Sequence, residues 1–130
     1  MYLMKKKLQE VIMGAQSMVL ATTGPHGINV VPVSVWQLIG NELFLYDFFM
    51  HKTKENVQTD EAVAVACWRD FVGVQLKGIA TYETHGPAYE AAIIQMKERF
   101  PDRTLHGLIR VTLTEVYDVA PGANTENILG

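Results

Sequence analysis

Cys67 is the sole cysteine in 130 residues. One thiol cannot close an intramolecular disulfide or assemble a cysteine-based metal site within one chain, and a reducing compartment suits such a composition. Charge of one sign is also scarce. Eleven Lys and Arg against fourteen Asp and Glu leave a formal charge of −3, without the clustered cationic excess that duplex nucleic acid requires. No apolar run approaches the ~18 residues of a membrane span. Lys5, Lys6 and Lys7 are not followed by the apolar stretch and cleavage site of an export signal, so a cytoplasmic protein is expected. No Gly-x-Ser-x-Gly, P-loop or dinucleotide fingerprint occurs. His26, His51, His85 and His106 are dispersed without ligand spacing, so a zinc site is not expected and turn or surface roles are the default.

What is present is a compact composition, 48% hydrophobic and 19% charged, in a length that suits one domain over residues 1–130. Residues 3–14 place Leu3, Met4, Leu8, Val11 and Ile12 at helical spacing ahead of Gly14, predicting an amphipathic helix that plugs one end of a core. From Met18 the pattern becomes strand-like. Strands are expected over 18–23, 28–36 and 42–49, joined by turns at Gly24-Pro25-His26-Gly27 and Gly40-Asn41, and short connections of this kind imply an antiparallel meander. A short helix over 52–60, strands over 62–68 and 71–84, a helix over 87–100 opened by Pro87, and a long strand over 105–119 complete the order. The tail from Pro121 to Gly130 has no periodicity. The fold class is β-dominated α+β, six strands in a small closed or nearly closed antiparallel β-barrel with short flanking helices; closure of this kind removes exposed sheet edges.

The most informative stretch is Met50-His51-Lys52-Thr53-Lys54-Glu55-Asn56-Val57. It follows a strand and opens a helix, with Thr53 placed as N-cap and Asn56 three residues later. Free backbone N–H groups, a hydroxyl and two cationic side chains in one turn suit a phosphate. Ordinary capping with exposed lysines produces the same letters, and on these residues alone it is the stronger reading. Pro32 lies inside an otherwise good strand, where its missing N–H forces an edge, bulge or gap. Val31, Val33 and Val35 alternate with Val30, Pro32, Ser34 and Trp36, so both faces are partly apolar, as are those of 42–49. A subunit partner or a planar ligand would bury the second face.

Taken together, Val19-Leu20-Ala21-Thr22 with Gly27, Val31-Pro32-Val33-Ser34, Met50-His51-Lys52-Thr53 with Asn56, Gly73-Val74-Gln75-Leu76-Lys77-Gly78-Ile79-Ala80 and Val116-Tyr117-Asp118 resemble the FMN-binding split-barrel proteins related to pyridoxamine 5′-phosphate oxidase, especially the small bacterial FMN-binding proteins. The resemblance spans nearly the whole chain. It implies that Lys52 and Thr53 hold the FMN phosphate with His51 and Asn56 close by, that the backbone of Pro32, Val33 and Ser34 runs along the flavin, and that Asp47, Phe48, Phe49 and Met50 line its other side. It further implies a homodimer with the flavin at the subunit interface, Gln75 being a candidate contact to the partner's flavin. Two departures stand out. No arginine and histidine set for a substrate phosphate follows Val119, which argues against pyridoxamine phosphate oxidation, and Phe48 and Phe49 stand where small members often carry glycines.

The expected function is electron transfer or flavin-dependent redox of a small substrate, with donor, acceptor and substrate unnamed by the sequence. The flavin supplies that chemistry, so no protein acid or base is assigned. Alternatives are a non-catalytic module holding haem, deazaflavin or pyridoxal phosphate in the same barrel, and a cofactor-free dimerisation domain. Cys67 alternates with Val63 and Val65 and is expected to be a buried, inert thiol.

Overall fold

The computed structural model describes residues 5–130. Helix α1 (Lys6–Met13) leads into strand β1 (Ser17–Thr22), β2 (Asn29–Pro32), β3 (Trp36–Ile39) and β4 (Glu42–Asp47). Helix α2 (His51–Thr59), β5 (Ala62–Arg69), β6 (Val72–Glu83), α3 (Pro87–Arg99) and β7 (Gly107–Asp118) follow. Leu3 and Met4, assigned to the first helix from their spacing, lie outside the described residues. All pairings are antiparallel, in one sheet of order β2-β1-β5-β6-β7-β4-β3.

Seven strands replace the expected six, because the predicted strand over 28–36 is two. Proline's missing N–H ends the ladder at Pro32, which still sits opposite Val19 on β1. The Val33 amide makes one last bond, to the Met18 carbonyl at 2.9 Å. From Trp36 onward the chain pairs with β4 instead. The expected pairings of this stretch with β1 and with β4 both form, but through two separate strands, β2 and β3, which are the two edges of the sheet. Only residues 33–35 join those edges, and three residues span at most about 11 Å. The sheet must curl until its edges nearly meet, and residues 33–35 bridge the remaining seam.

Alternation along the strands sorts the core. Leu20, Leu43, Leu45, Val65, Leu76, Ile109 and Val111 point into the barrel, and Leu8 and Ile12 of α1 close one end, as the helical spacing predicts. Each such side chain contributes roughly 1.5–3 kcal/mol by leaving water. A second, smaller cluster on the outer face packs Val35, Tyr46, Phe48 and Leu108 under Ala92 and Met96 of α3. Cys67 is fully buried in the main core, and burial pushes its thiol up to about 11, as expected for an inert group. Gly78 marks a bulge in β6; a side chain there would meet the Thr112 carbonyl at 2.4 Å.

The C-terminal segment folds back on its own barrel. Asn127 Oδ1 accepts from the Val116 and Leu129 amides at 3.0 and 3.1 Å. Ile128 donates to the Val116 carbonyl at 2.7 Å, and Ile128 and Leu129 pack against the main core. Among the described residues no helix is long and apolar enough to cross a membrane.

Candidate functional site

A cleft of about 620 Å³ opens at the seam between the sheet edges. Met18 and Val19 of β1, Val31 and Pro32 of β2, and the linking Val33 and Ser34 form one side; Tyr46, Phe48, Phe49 and Met50 form the other, with Trp68 at one end. Its walls are mainly apolar and its volume lies in the range of small-molecule sites. The seam, and so the cleft, exists because Pro32 stops the ladder. Phe48 is buried under α3 and meets Phe100 edge-on at 5.9 Å, whereas Phe49 is 89% exposed at the mouth.

The ledge at 48–50 runs directly into α2. Met50, not Thr53, occupies the N-cap position, and the helix begins at His51. The reading of Thr53 as N-cap is therefore corrected: Asp47 accepts the Met50 amide at 2.6 Å, which closes the turn into the helix and sets the cap three residues ahead of Thr53. The first backbone bond of α2 runs from the Lys54 amide to the Met50 carbonyl at 2.8 Å. The amides of His51, Lys52 and Thr53 have no acceptor among the described residues, as the first turn of a helix requires. Three free N–H groups beside an exposed Lys52 favour an anion through partial charge and directed donors.

Thr53 and Asn56 are fully buried. Asn29 donates its amide to Thr53 Oγ1 at 3.2 Å, leaving the hydroxyl proton of Thr53 free to be directed elsewhere. Asn56 spans the first hairpin turn: its Oδ1 accepts the His26 amide at 3.0 Å, and its Nδ2 donates to Thr22 Oγ1 at 3.2 Å and to the Gly27 carbonyl at 3.1 Å. Asn56 thus anchors the turn to α2 instead of capping the helix. The backbone of Gly24 packs so closely on it that a side chain there would lie 2.8 Å from Asn56 Oδ1.

His26 and His51 both reach Glu55 Oε1, at 2.8 and 3.2 Å. The hydrogen bond from His26 is the main reason the Glu55 carboxyl titrates below its ordinary range. The remaining side of the ledge holds a second cleft of about 380 Å³, where Asp47, Tyr82, Lys54 and His106 meet. Tyr82 donates to Asp47 Oδ2 at 2.6 Å; burial first, and this bond second, hold its hydroxyl well above the usual tyrosine range.

Of the twelve residues singled out from the sequence, Pro32, Val33, Ser34, Phe48, Phe49 and Met50 share the large cleft. His51, Lys52 and Thr53 form the adjoining helix start, and Asn56 supports it from behind. Asp47 lines the smaller cleft only. Gln75 stands apart, half-buried in the middle of β6 opposite Ala66 and Tyr117. Sequence reasoning passed over Asn29 and Tyr82, since neither falls in a local pattern; each acquires its role only when β2 and β6 pack on α2.

Residues 4–120 match the sequence profile of the pyridoxamine 5′-phosphate oxidase family. No curated protein sequence matches the chain. Among solved structures, HupZ of Group A Streptococcus superposes with a TM-score of 0.82 at 18% identity, covering 95% of this chain and 100% of that one. An FMN-binding protein from Syntrophomonas wolfei gives 0.76 at 14% identity, covering 88% and 85%. The haem storage protein HutZ of Vibrio cholerae gives 0.68 at 16% identity, covering 89% and 94%. These likenesses establish the split-barrel fold, and the profile match over 4–120 establishes more: the chain belongs to the pyridoxamine 5′-phosphate oxidase family.

Proposed function

We propose that the protein binds FMN non-covalently, its ring system in the seam cleft and its phosphate at the start of α2, and that it serves electron transfer or flavin-dependent redox of a small substrate. The observation that carries this reading is continuity: one ledge, 48–50, is both a wall of an apolar cleft of about 620 Å³ and the lead into three unpaired amides beside Lys52. A planar apolar ring joined to a phosphate needs both features in that order. Bound there, the flavin would supply the electron chemistry. Lys52 and the exposed amides at the helix start would hold its phosphate, with the fully buried Thr53 holding that turn in place beneath them, and Pro32, Val33, Ser34 and the ledge would shield its ring from water and set its dielectric surroundings.

Haem is the other group suggested by the relatives, since HutZ is a haem storage protein. The donor chemistry of the cleft favours flavin. Among the described residues lining it there is no histidine or cysteine, the usual protein ligands of haem iron; the thioethers of Met18 and Met50 line it, but methionine serves haem iron beside a histidine. Tyr46 lines the wall, but its hydroxyl donates to Gln37 and is held above its ordinary range by burial, so it offers no phenolate. Identifying what the protein takes up tests the reading. Incubation with FMN and with haemin should give a yellow, dithionite-bleachable flavoprotein and no stoichiometric Soret band. A Soret band at one equivalent and no bound flavin would replace the FMN reading with the haem one.

The same reading extends to a homodimer with the flavin at the subunit interface, and to Gln75 as a contact with the partner's flavin. Ile28 just ahead of the edge strand, Val30 on it and Phe49 at the cleft mouth are large apolar side chains left in water by one chain, and a second copy would cover them. Sedimentation equilibrium at micromolar concentration should give twice the mass of the chain; a stable, folded monomer there would overturn the dimer.

A further inference from the structure

We propose that Asp47, Tyr82 and Gly107 form a positioning device that fixes the segment 48–53 for flavin binding without any of the three touching the cofactor; this rests on the FMN reading above. Asp47 is 2% exposed and both of its carboxylate oxygens are engaged. Oδ1 accepts the Met50 amide and Oδ2 accepts the Tyr82 hydroxyl, each at 2.6 Å. Its backbone carbonyl accepts the His106 amide at 2.8 Å. The carboxylate lines the smaller cleft and not the seam cleft, so its charge is spent on the turn and on Tyr82.

Tyr82 reaches Asp47 only because residue 107 is glycine. Gly107 stands opposite Asp47 in the β4–β7 ladder, and a Cβ there would lie 2.2 Å from Tyr82 Cζ and 2.3 Å from its oxygen. The tyrosine ring therefore crosses directly over the β7 backbone. The ring also carries Lys54 Nζ 5.4 Å from its centroid, an attraction of the cation–π kind. The start of α2 is thus gripped twice, at the Met50 amide through Asp47 and at Lys54 through the ring. Both grips act on the ledge and helix turn that orient the three free amides.

A device of this kind needs the hydrogen-bond geometry of residue 47 and not its charge. Asparagine can supply it: its Oδ1 accepts the Met50 amide while its Nδ2 donates to the tyrosine oxygen. Removing the Tyr82 hydroxyl alone, with the ring kept over Gly107, breaks the grip. The experiment compares wild type, Asp47→Asn and Tyr82→Phe by FMN titration of the apo-proteins and by hydrogen exchange of the apo-proteins read peptide by peptide. Tyr82→Phe should weaken FMN about 10-fold, the scale of one lost hydrogen bond to a charged group, and speed exchange about 10-fold over 48–54. Exchange in the β6–β7 ladder should stay unchanged, which general destabilisation would not allow. Asp47→Asn should bind FMN within about 3-fold of wild type and exchange like it. Any other pattern overturns the proposal; loss of binding in Asp47→Asn with Tyr82→Phe unaffected would make the carboxylate a ligand contact. If wild type takes up no FMN, the flavin reading fails separately, and the exchange measurements alone decide whether Asp47 and Tyr82 hold the segment.

Discussion

Asn56→Ala is expected to lower the melting temperature by about 6–15 °C, the largest stability loss of any polar substitution near the site. The side chain is fully buried and makes three hydrogen bonds, to the His26 amide, Thr22 Oγ1 and the Gly27 carbonyl. Truncation removes all three at once. A net hydrogen bond is worth about 1 kcal/mol, and an orphaned buried partner costs about 1–3 kcal/mol more. His26 and Gly27 lie at the surface, where water can replace the lost partner, whereas Thr22 is buried. The balance is about 2–3 kcal/mol, which for a domain of this size corresponds to about 3–5 °C per kcal/mol. Asn56→Asp should do no better, because a carboxylate keeps the acceptor for His26 but faces the Gly27 carbonyl with no proton to offer. Thermal unfolding followed by circular dichroism measures both; an Ala variant melting within 2 °C of wild type would mean that the hairpin turn is not anchored through this residue.

Asn56 also shows where sequence reading succeeds and where it stops. Its position, three residues after a possible cap, made it look like part of a helix start; the helix in fact begins at His51, and the amide is turned away toward a turn some thirty residues earlier. Local pattern could place the helix but not its first residue, since the turn that leads into the Met50 cap is closed by Asp47, four positions before His51 and on a strand. Pro32 was legible as an interruption, because a missing donor is a local property. That the interruption becomes the boundary between two edges of one sheet was not, since it depends on β3 finding β4 and β2 finding β1. The core was the most legible part: alternation in β1, β4 and β7 sorts Leu20, Leu43, Leu45, Ile109 and Val111 inward, by the same period that marks them as strands. Tyr82 and Gly107 were illegible for the opposite reason. Each is an ordinary strand residue until a curled sheet brings β6, β7 and β4 side by side.

Lys52→Ala is expected to weaken FMN about 10- to 100-fold while leaving riboflavin affinity within about 2-fold of wild type. The lysine stands exposed at the second residue of α2, beside amides of 51–53 that lack acceptors. A charge-assisted contact to phosphate is worth roughly 1.5–3 kcal/mol, which sets the range. The loss stays partial because the amides, which no side-chain substitution removes, still favour the anion. Riboflavin has the ring and no phosphate, so it reports the seam cleft alone. Lys54→Ala serves as the contrast: Lys54 lies over the Tyr82 ring, and its removal loosens the ledge that both flavins use, so it should weaken the two ligands by similar factors. Titration of both flavins into wild type and the two variants separates the roles. Equal, small effects of Lys52→Ala on the two ligands would reduce Lys52 to a solvated helix-end cation, and the phosphate would then have to be sought away from α2, with Lys77 on β6 the next cation to test.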